Sequence, residues 1–222
     1  MRNWRAEYVP YTNASGSAQP LNPCRAVRAL QIPRRNRKRI PGAKTALPVA
    51  GGQQRRPEVS ALLLLSEERP DLTAAAAQFA LPGDGWQTRD YSPLLDRITP
   101  GSRWQFRLCA NPTYSVPAGP GQRGRVCAHS TVEHQLQWLM GQSDKHGFLL
   151  EPDGFTVTGA KWYRFRKGGK GRNVTFLAVT YDGILEVRDP VRFREALCRG
   201  IGPGKAYGAG LMTIVRPGGA HG

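Results

Sequence analysis

The spacing of apolar residues becomes regular from about residue 60 onward. The run SALLLLSEERPDL (60–72) is continuously apolar before it turns polar, which predicts a buried strand that ends in a turn. The next segment, DLTAAAAQFA (71–80), predicts a short helix, and WQTRDYSPLLDRI (86–98) predicts an extended piece. These elements indicate part of a folded domain.

Six further elements follow in the order strand, helix, strand, strand, helix, strand. The strands are predicted within 103–112, 154–167, 172–187 and 210–215, and the helices within 130–142 and 189–200. This β-α-β-β-α-β order is the ferredoxin-like plan of the α+β class, an antiparallel sheet with two helices on one face. RNA-recognition modules use the same plan, although a fold alone does not fix a function.

Local signals predict the ends of both helices. Ser130 and Glu133 have the spacing of a capping box, so the first helix is expected to begin directly after Ser130. Asp189 precedes a proline, and Gly200 follows the last apolar position of the second helix. That helix is therefore expected between Asp189 and Gly200.

The chain before residue 60 is different in character. Residues 1–59 form a basic, poorly patterned segment, which includes the run RRNRKR and shows no sustained helical or strand period. The composition of this segment is compatible with a disordered basic arm and also with a tail that contacts RNA. We assign residues 60–99 to the remainder of an N-terminal domain, 100–217 to a C-terminal RNA-binding domain and 218–222 to a tail.

The net charge of the chain indicates which class of molecule it binds. The chain has 32 lysines and arginines against 16 aspartates and glutamates, which gives a formal net charge of +16. A charge of this size points first to a polyanion such as RNA, and a basic protein of the membrane surface is the alternative.

Signals for membranes and metals are not found in the sequence. The longest apolar run, 61–65, is far shorter than the roughly 20 residues of a transmembrane helix. The N-terminus lacks the zones of a signal peptide, so we expect a cytoplasmic protein without a membrane partner. The four cysteines are far apart and form no C-x-x-C pair, and we expect neither a metal site nor a cofactor.

The predicted hairpin at 161–180 is rich in cations. Strand alternation places Arg164 and Arg166 on one face together with Trp162, and turns Tyr163 and Phe165 to the other face, toward the core. A basic two-stranded ribbon can follow a nucleic acid by its phosphates, and a merely charged, soluble hairpin tip is the plainer interpretation. The basic residues of this hairpin are Lys161, Arg164, Arg166, Lys167, Lys170 and Arg172.

A glycine-rich loop follows the last helix. The segment GIGPGKAYGAGLMTIV (200–215) carries five glycines and Lys205 in its first eleven positions, although a helix stop and a turn need only one or two glycines. Closely approaching backbone N–H groups beside a lysine suit phosphate. The loop is not a P-loop, because it lacks G-x-x-x-x-G-K-[ST] and precedes a strand.

Several motifs, taken in order, resemble those of a known family. They are LLLLSEERPDL, TRDYSPLLDRI, WQFRLCANPT, HSTVEHQLQWL, YDGILEVRDPVRFREALCRGIG and GIGPGKAYGAGLMTI. The set resembles the CRISPR repeat-processing endoribonucleases of the type I-E system, the CasE subunits of Cascade, over residues 60–217. The resemblance implies tandem ferredoxin-like domains, of which the N-terminal one is incomplete or diverged in this chain.

The resemblance also implies a function. Such proteins bind the repeat stem-loop and cleave at its 3′ base by metal-independent attack of a 2′-OH. They then stay on the guide RNA with the other Cascade subunits. Matched to these motifs, the RNA-binding residues are expected to be Arg107 and Asn111 on the first strand and its exit, the six basic hairpin residues above, and Gly200, Gly202, Gly204, Lys205, Tyr207, Gly208 and Gly210 in the loop.

The first sixty residues depart from the family pattern. The family carries its catalytic histidine on the first helix, whereas residues 1–60 contain no histidine. A reading-frame excursion, true divergence and a different gene start are open explanations. Of the four histidines, His129, His134, His146 and His221, His129 is a weak substitute candidate.

We therefore expect the family's RNA binding with weak or absent cleavage. A non-cleaving structural subunit that holds guide RNA and a general basic nucleic-acid-binding protein are the two alternatives.

Overall fold

A computed structural model describes the chain at residues 5–11, 44–46, 60–67, 69–73, 87–122, 124–166 and 173–217. The chain divides into two compact units. The first comprises Met1–Arg97 and Ala206–Gly208, and the second comprises Ile98–Lys205 and Ala209–Gly222. Among the described residues, no helix is long and apolar enough to cross a membrane.

The first unit contains a four-stranded antiparallel sheet. Its strands are β1 (Arg5–Tyr11), β2 (Lys44–Ala46), β3 (Ser60–Ser66) and β4 (Gln87–Asp90), in the spatial order β2-β3-β1-β4. The predicted strand after residue 60 is confirmed, and Leu64 and Leu65 within it are buried. The extended piece predicted at 86–98 is β4 followed by the short helix α1 (Ser92–Asp96), and the helix predicted at 71–80 lies almost wholly outside the described residues.

Strand β1 was missed by the sequence interpretation. The strand pairs with β3 from Arg5 opposite Ser66 to Tyr11 opposite Ser60. It contains Pro10, which normally argues against a paired strand because proline cannot donate to a ladder. Strand β4 pairs only as far as Tyr8, so Pro10 lies beyond the end of that second partner.

The second unit has the β-α-β-β-α-β order that the sequence predicts, with one insertion. Its main strands are β5 (Arg103–Ala110), β8 (Phe148–Arg166), β9 (Asn173–Val187) and β10 (Met212–Val215), and its helices are α2 (Val132–Ser143) and α3 (Pro190–Arg199). The antiparallel sheet has the order β10-β5-β9-β8. With strands numbered within each unit, both sheets have the order 2-3-1-4, read from one edge, so the ferredoxin-like prediction is confirmed.

One face of the second sheet packs against the helices. Trp104, Phe106 and Leu108 alternate along β5 into this core, and Leu139 of α2 and Phe193 of α3 are fully buried with them. The opposite residues of β5 carry the polar side chains, as a strand with one covered face requires.

A short hairpin inserted after β5 was not predicted. It consists of β6 (Thr113–Val116) and β7 (Arg125–Ala128), which pair only with each other. The strands are four residues long and flank a proline- and glycine-rich stretch, 117–124. Such short runs carry too little alternation for a strand prediction.

The two helix starts differ in how well the sequence predicted them. The Asp189 carboxylate accepts hydrogen bonds from the N–H groups of Val191 and Arg192 at 2.9 and 3.1 Å, so this cap is confirmed. The capping box on Ser130 is wrong by one residue. Thr131 is the cap of α2, and its hydroxyl accepts from the N–H of His134 at 3.4 Å.

Candidate nucleic-acid interface

The long hairpin β8–β9 presents an exposed basic face. Arg164 and Arg166 are exposed, and Trp162 beside them has 53% of its surface exposed. Lys161 is also exposed on this strand. The predicted sharing of one face by these arginines and the tryptophan agrees with their strand register.

The other face of the hairpin is packed, although not against the helices. The register shift between Val157 and Gly159 leaves Thr158 as a bulge, which exchanges the two faces for the rest of β8. Tyr163 therefore lies on the face opposite the helix core, where it stacks on Phe176 at 5.4 Å. Phe165 meets the same ring edge-on at 6.1 Å. Tyr163 is thus buried, as expected for a side chain that points toward the core, whereas Phe165 is only half-buried.

Three predicted hairpin contacts cannot be placed. Lys167, Lys170 and Arg172 lie outside the described residues. At the last described pair of the hairpin, the Arg166 Nε donates to the Asn173 side chain at 3.3 Å. The described part of this basic face is therefore Trp162, Arg164 and Arg166, backed by the aromatic cluster of Tyr163, Phe165 and Phe176. Lys161 lies on the face of that cluster, with its Nζ 5.7 Å from the centroid of the Tyr163 ring.

The glycine-rich loop owes much of its composition to its own packing. Its five glycines, Gly200, Gly202, Gly204, Gly208 and Gly210, all have φ between 72° and 95°, a region that L residues rarely adopt. A Cβ on Gly200 would lie 2.8 Å from the carbonyl oxygen of Gly210. The N–H of Ile201 donates to that oxygen at 2.7 Å, and the N–H of Gly210 donates to Cys109 at 2.7 Å. Bare backbone is thus needed to close the loop onto β5.

The side chain of Trp138 packs against the glycine-rich loop at Gly202. A Cβ on Gly202 would lie 2.8 Å from Cζ2 of Trp138, so the ring touches the loop backbone directly. Trp138 stacks on Tyr181 with ring centroids 6.3 Å apart, and the Tyr181 hydroxyl donates to the Gln135 carbonyl at 3.1 Å. Burial strongly raises the pKa of Tyr181, so its hydroxyl stays a donor.

Several basic side chains lie close enough to Lys205 of the glycine-rich loop for their pKa values to be coupled. Burial lowers the pKa of Lys205, and the charge of Arg199 lowers it further. Burial likewise lowers the pKa of His146, with contributions from Lys205 and Lys145, while Glu195 opposes them. The positive charges near the loop thus disfavour one another, although Glu195 partly offsets them through its ion pair with Arg199 at 2.8 Å.

Two further candidate residues, Asn111 and Tyr207, have other surroundings. Asn111 packs beside Gly204, where a Cβ would lie 3.4 Å from the Asn111 Cβ, and its Oδ1 is buried without a hydrogen-bond partner in the structure. The residue as a whole is half-buried. Tyr207 belongs to a short 3₁₀ helix, Lys205–Tyr207, and with Gly208 it groups with the first unit.

Arg107 lies on the face of the sheet away from the helices. Its Nε and Nη2 donate to the two carboxylate oxygens of Asp182 at 2.6 and 3.1 Å, and the Thr158 hydroxyl donates to the same carboxylate at 2.6 Å. Burial alone would raise the pKa of Asp182, but the hydrogen bonds from Arg107 and Thr158 and the charge of Arg107 lower it overall. The Arg107 side chain is 42% exposed, so its other N–H groups remain accessible to a ligand.

The ion pair makes a pH-dependent contribution to stability. We expect Asp182→Asn to lower the free energy of unfolding at pH 7 by about 1 kcal/mol, the upper end for partly exposed pairs. The pKa of Asp182 is lower in the folded state than the ordinary value of about 3.9, so its contribution is full above that value and disappears as the pH falls through the folded pKa. Urea unfolding at pH 7 and near pH 3 measures this. An equal loss at both pH values would contradict the prediction.

The structure also brings together histidines that the sequence treats separately. The ring of His129 lies 4.8 Å from that of Tyr114 and 5.8 Å from that of His134, measured between centroids. We call Tyr114, His129 and His134 the histidine cluster. The sequence could not predict this cluster, because Tyr114 belongs to the hairpin β6–β7, which was itself not predicted.

Comparisons with known proteins agree with this fold. A family model described as CRISPR associated protein matches residues 52–216. The CRISPR-associated endoribonuclease Cse3 of Thermus thermophilus is 35% identical over 135 residues, which covers 55% of this chain and 60% of that protein. The chain thus matches somewhat less than two thirds of that relative's length.

Two solved structures are similar over nearly the whole chain. A structure of CRISPR endoribonuclease Cse3 bound to 19 nt RNA has a TM-score of 0.71 and 26% identity, and the match covers 97% of this chain and all of that one (100%). Thermus thermophilus Cse3 bound to an RNA representing a pre-cleavage complex has a TM-score of 0.69 and 24% identity, with the same coverage of 97% and 100%.

Proposed function

The chain belongs to the CRISPR-associated protein family whose model spans most of it, and on that premise we propose that it binds the stem-loop of a CRISPR repeat RNA and processes the precursor. The observation that carries this proposal is the exposed basic face of the hairpin, with Arg164 and Arg166 beside Trp162. Guanidinium groups can contact phosphates and an indole ring can stack on a base, which suits a folded RNA.

The proposed reaction is metal-independent cleavage at the 3′ base of the stem. The 2′-OH attacks the adjacent phosphorus, which leaves a 2′,3′-cyclic phosphate and a free 5′-OH. The cleaved guide RNA stays bound, and the protein acts with other Cascade subunits in the cytoplasm. The relative described as Cse3, an endoribonuclease, supports this class of activity.

Two rival functions make different predictions. A structural subunit would bind the stem-loop without cutting it, and a general nucleic-acid-binding protein would show no preference for the hairpin. The net charge of +16 is compatible with all three functions, so selectivity and cutting decide between them.

We expect a repeat stem-loop to bind at least tenfold more tightly than a scrambled RNA of equal length at moderate salt. Affinity should fall steeply with salt, because each phosphate contact adds about one unit to the salt slope. Filter binding of both RNAs across a salt series measures both quantities. Equal affinities would favour the general nucleic-acid-binding protein and contradict the proposal.

A further inference from the structure

The histidine cluster is an accessible group of titratable side chains outside the hairpin and the glycine-rich loop. Tyr114 is 46% exposed, His134 is exposed and His129 is half-buried. Among the residues the structure describes, it is the one place where two imidazole rings are in contact. The family resemblance assigns it no role.

The main chain holds His129 firmly in this cluster. Its N–H donates to the Pro112 carbonyl at 3.0 Å, and its carbonyl accepts from the Gln135 side chain at 2.9 Å. Gln135 is itself buried in α2. The hairpin and the helix therefore fix the position of His129, and its ring packs against Tyr114.

The partner histidine is oriented by a hydroxyl. The Thr131 Oγ lies 2.8 Å from Nδ1 of His134, in addition to accepting from the His134 N–H. This contact occupies Nδ1 and leaves Nε2 as the nitrogen available to a ligand. Two held imidazoles whose centroids are 5.8 Å apart can reach the same phosphodiester group.

The surroundings of His129 change its pKa. Burial lowers the pKa of His129, and the charge of His134 lowers it further. Both effects favour the neutral imidazole at His129. The other titratable side chains at this site are Tyr114 and, opposite it on β7, Cys127.

Resting on the proposed function, we propose that His129 and His134 are the acid–base pair for RNA backbone cleavage in this chain. His129 accepts the proton of the 2′-OH while the 2′-oxygen forms a bond to phosphorus. The bond from phosphorus to the 5′-oxygen breaks, and protonated His134 donates a proton to that oxygen. One proton is taken up and one is released, so the step needs no metal, water or redox partner.

The test is single-turnover cleavage of a repeat RNA by the full chain in EDTA. His129→Gln and His134→Asn should each slow cutting by about 10²–10⁴-fold, the usual contribution of a positioned acid or base. The double variant should be little slower than either single variant, because the two groups act as a unit. His221→Ala removes a histidine outside the cluster and serves as the matched control.

Two further measurements separate a catalytic role from a structural one. Each variant's RNA dissociation constant and melting temperature should stay within a few-fold and a few degrees of the wild type. The wild-type rate should fall as the pH drops below the pKa of His129, which lies under its ordinary value of about 6.5. His129→Gln should abolish that limb of the pH profile.

The outcomes distinguish this inference from the proposed function. Undiminished cutting by His129→Gln or His134→Asn overturns the acid–base pair and leaves RNA processing intact. Tight stem-loop binding by a wild type that does not cut also overturns the pair, and favours the structural subunit. A wild type without stem-loop preference removes the proposed function and the pair with it.

Discussion

Gly210→Ala is expected to lower the free energy of unfolding of the second unit by about 3 kcal/mol, since overpacking costs roughly 1–3 kcal/mol and a left-handed backbone roughly 1–2 kcal/mol. An added Cβ would lie 2.6 Å from the carbonyl oxygen of Ile201. Gly210 also has a φ of 95°. The clashing atoms are backbone atoms, and the Gly210 main chain bonds both Ile201 and Cys109, so neither side can move away at little cost.

Gly204→Ala is the matched control for this prediction. Gly204 has a similar φ of 85°, but a Cβ there would meet its nearest neighbours, Ala209 and Asn111, at 3.4 Å. This variant should lose only the cost of the left-handed backbone, about 1 kcal/mol. Thermal melts of both variants give the difference, at roughly 4 °C per kcal/mol for a unit of this size. Equal losses would contradict the steric explanation.

The sequence predicted those features that depend on neighbours along the chain. The second helix of the C-terminal domain begins after Asp189 and ends before Gly200, because a cap, a proline and a glycine act within one helix. The hairpin β8–β9 follows from two long strand patterns with glycines between them. Once these elements were in order, the sheet topology followed from the ferredoxin-like plan.

Features that depend on the register between strands were not predictable. The bulge at Thr158 exchanges the faces of β8, and nothing in the local pattern signals it. It also brings the Thr158 hydroxyl to Asp182, which pairs with Arg107 although 75 residues separate them. A single sequence carries no information on such long-range pairs.

The candidate site was predicted in part for the same reason. Arg164 and Arg166 were assigned to RNA contact from the clustering of charge on the hairpin and from strand alternation. The structure exposes both side chains, and their contact with RNA stays a prediction. The glycines of the loop were assigned to phosphate contact, yet Gly200, Gly202 and Gly210 are also required by close approach to backbone and to Trp138. Gly200 and Gly210 are buried by this packing, whereas Gly202 is half-buried, so of these three only Gly202 keeps surface for a phosphate contact.

Arg164→Ala combined with Arg166→Ala is expected to weaken repeat stem-loop binding about 100-fold at low salt. Charge-assisted hydrogen bonds contribute roughly 1.5–3 kcal/mol each, and about 1.4 kcal/mol is tenfold in affinity. Both side chains are exposed, and among the described residues neither forms a salt bridge that RNA would have to break. The slope of log affinity against log salt should become shallower by about two units.

Arg188→Ala combined with Arg192→Ala removes the same charge elsewhere and controls for it. Arg188 lies 3.5 Å from Glu186 and Arg192 lies 3.3 Å from Asp189, so neither guanidinium is an unneutralised cation. This pair of changes should leave the salt slope unchanged and reduce affinity only a few-fold, through the weak long-range field. If it weakens binding as much as the hairpin pair does, RNA is held by net charge alone. The basic face of β8 would then lose its role as the stem-loop contact, because a specific contact depends on which arginines are removed and net charge does not.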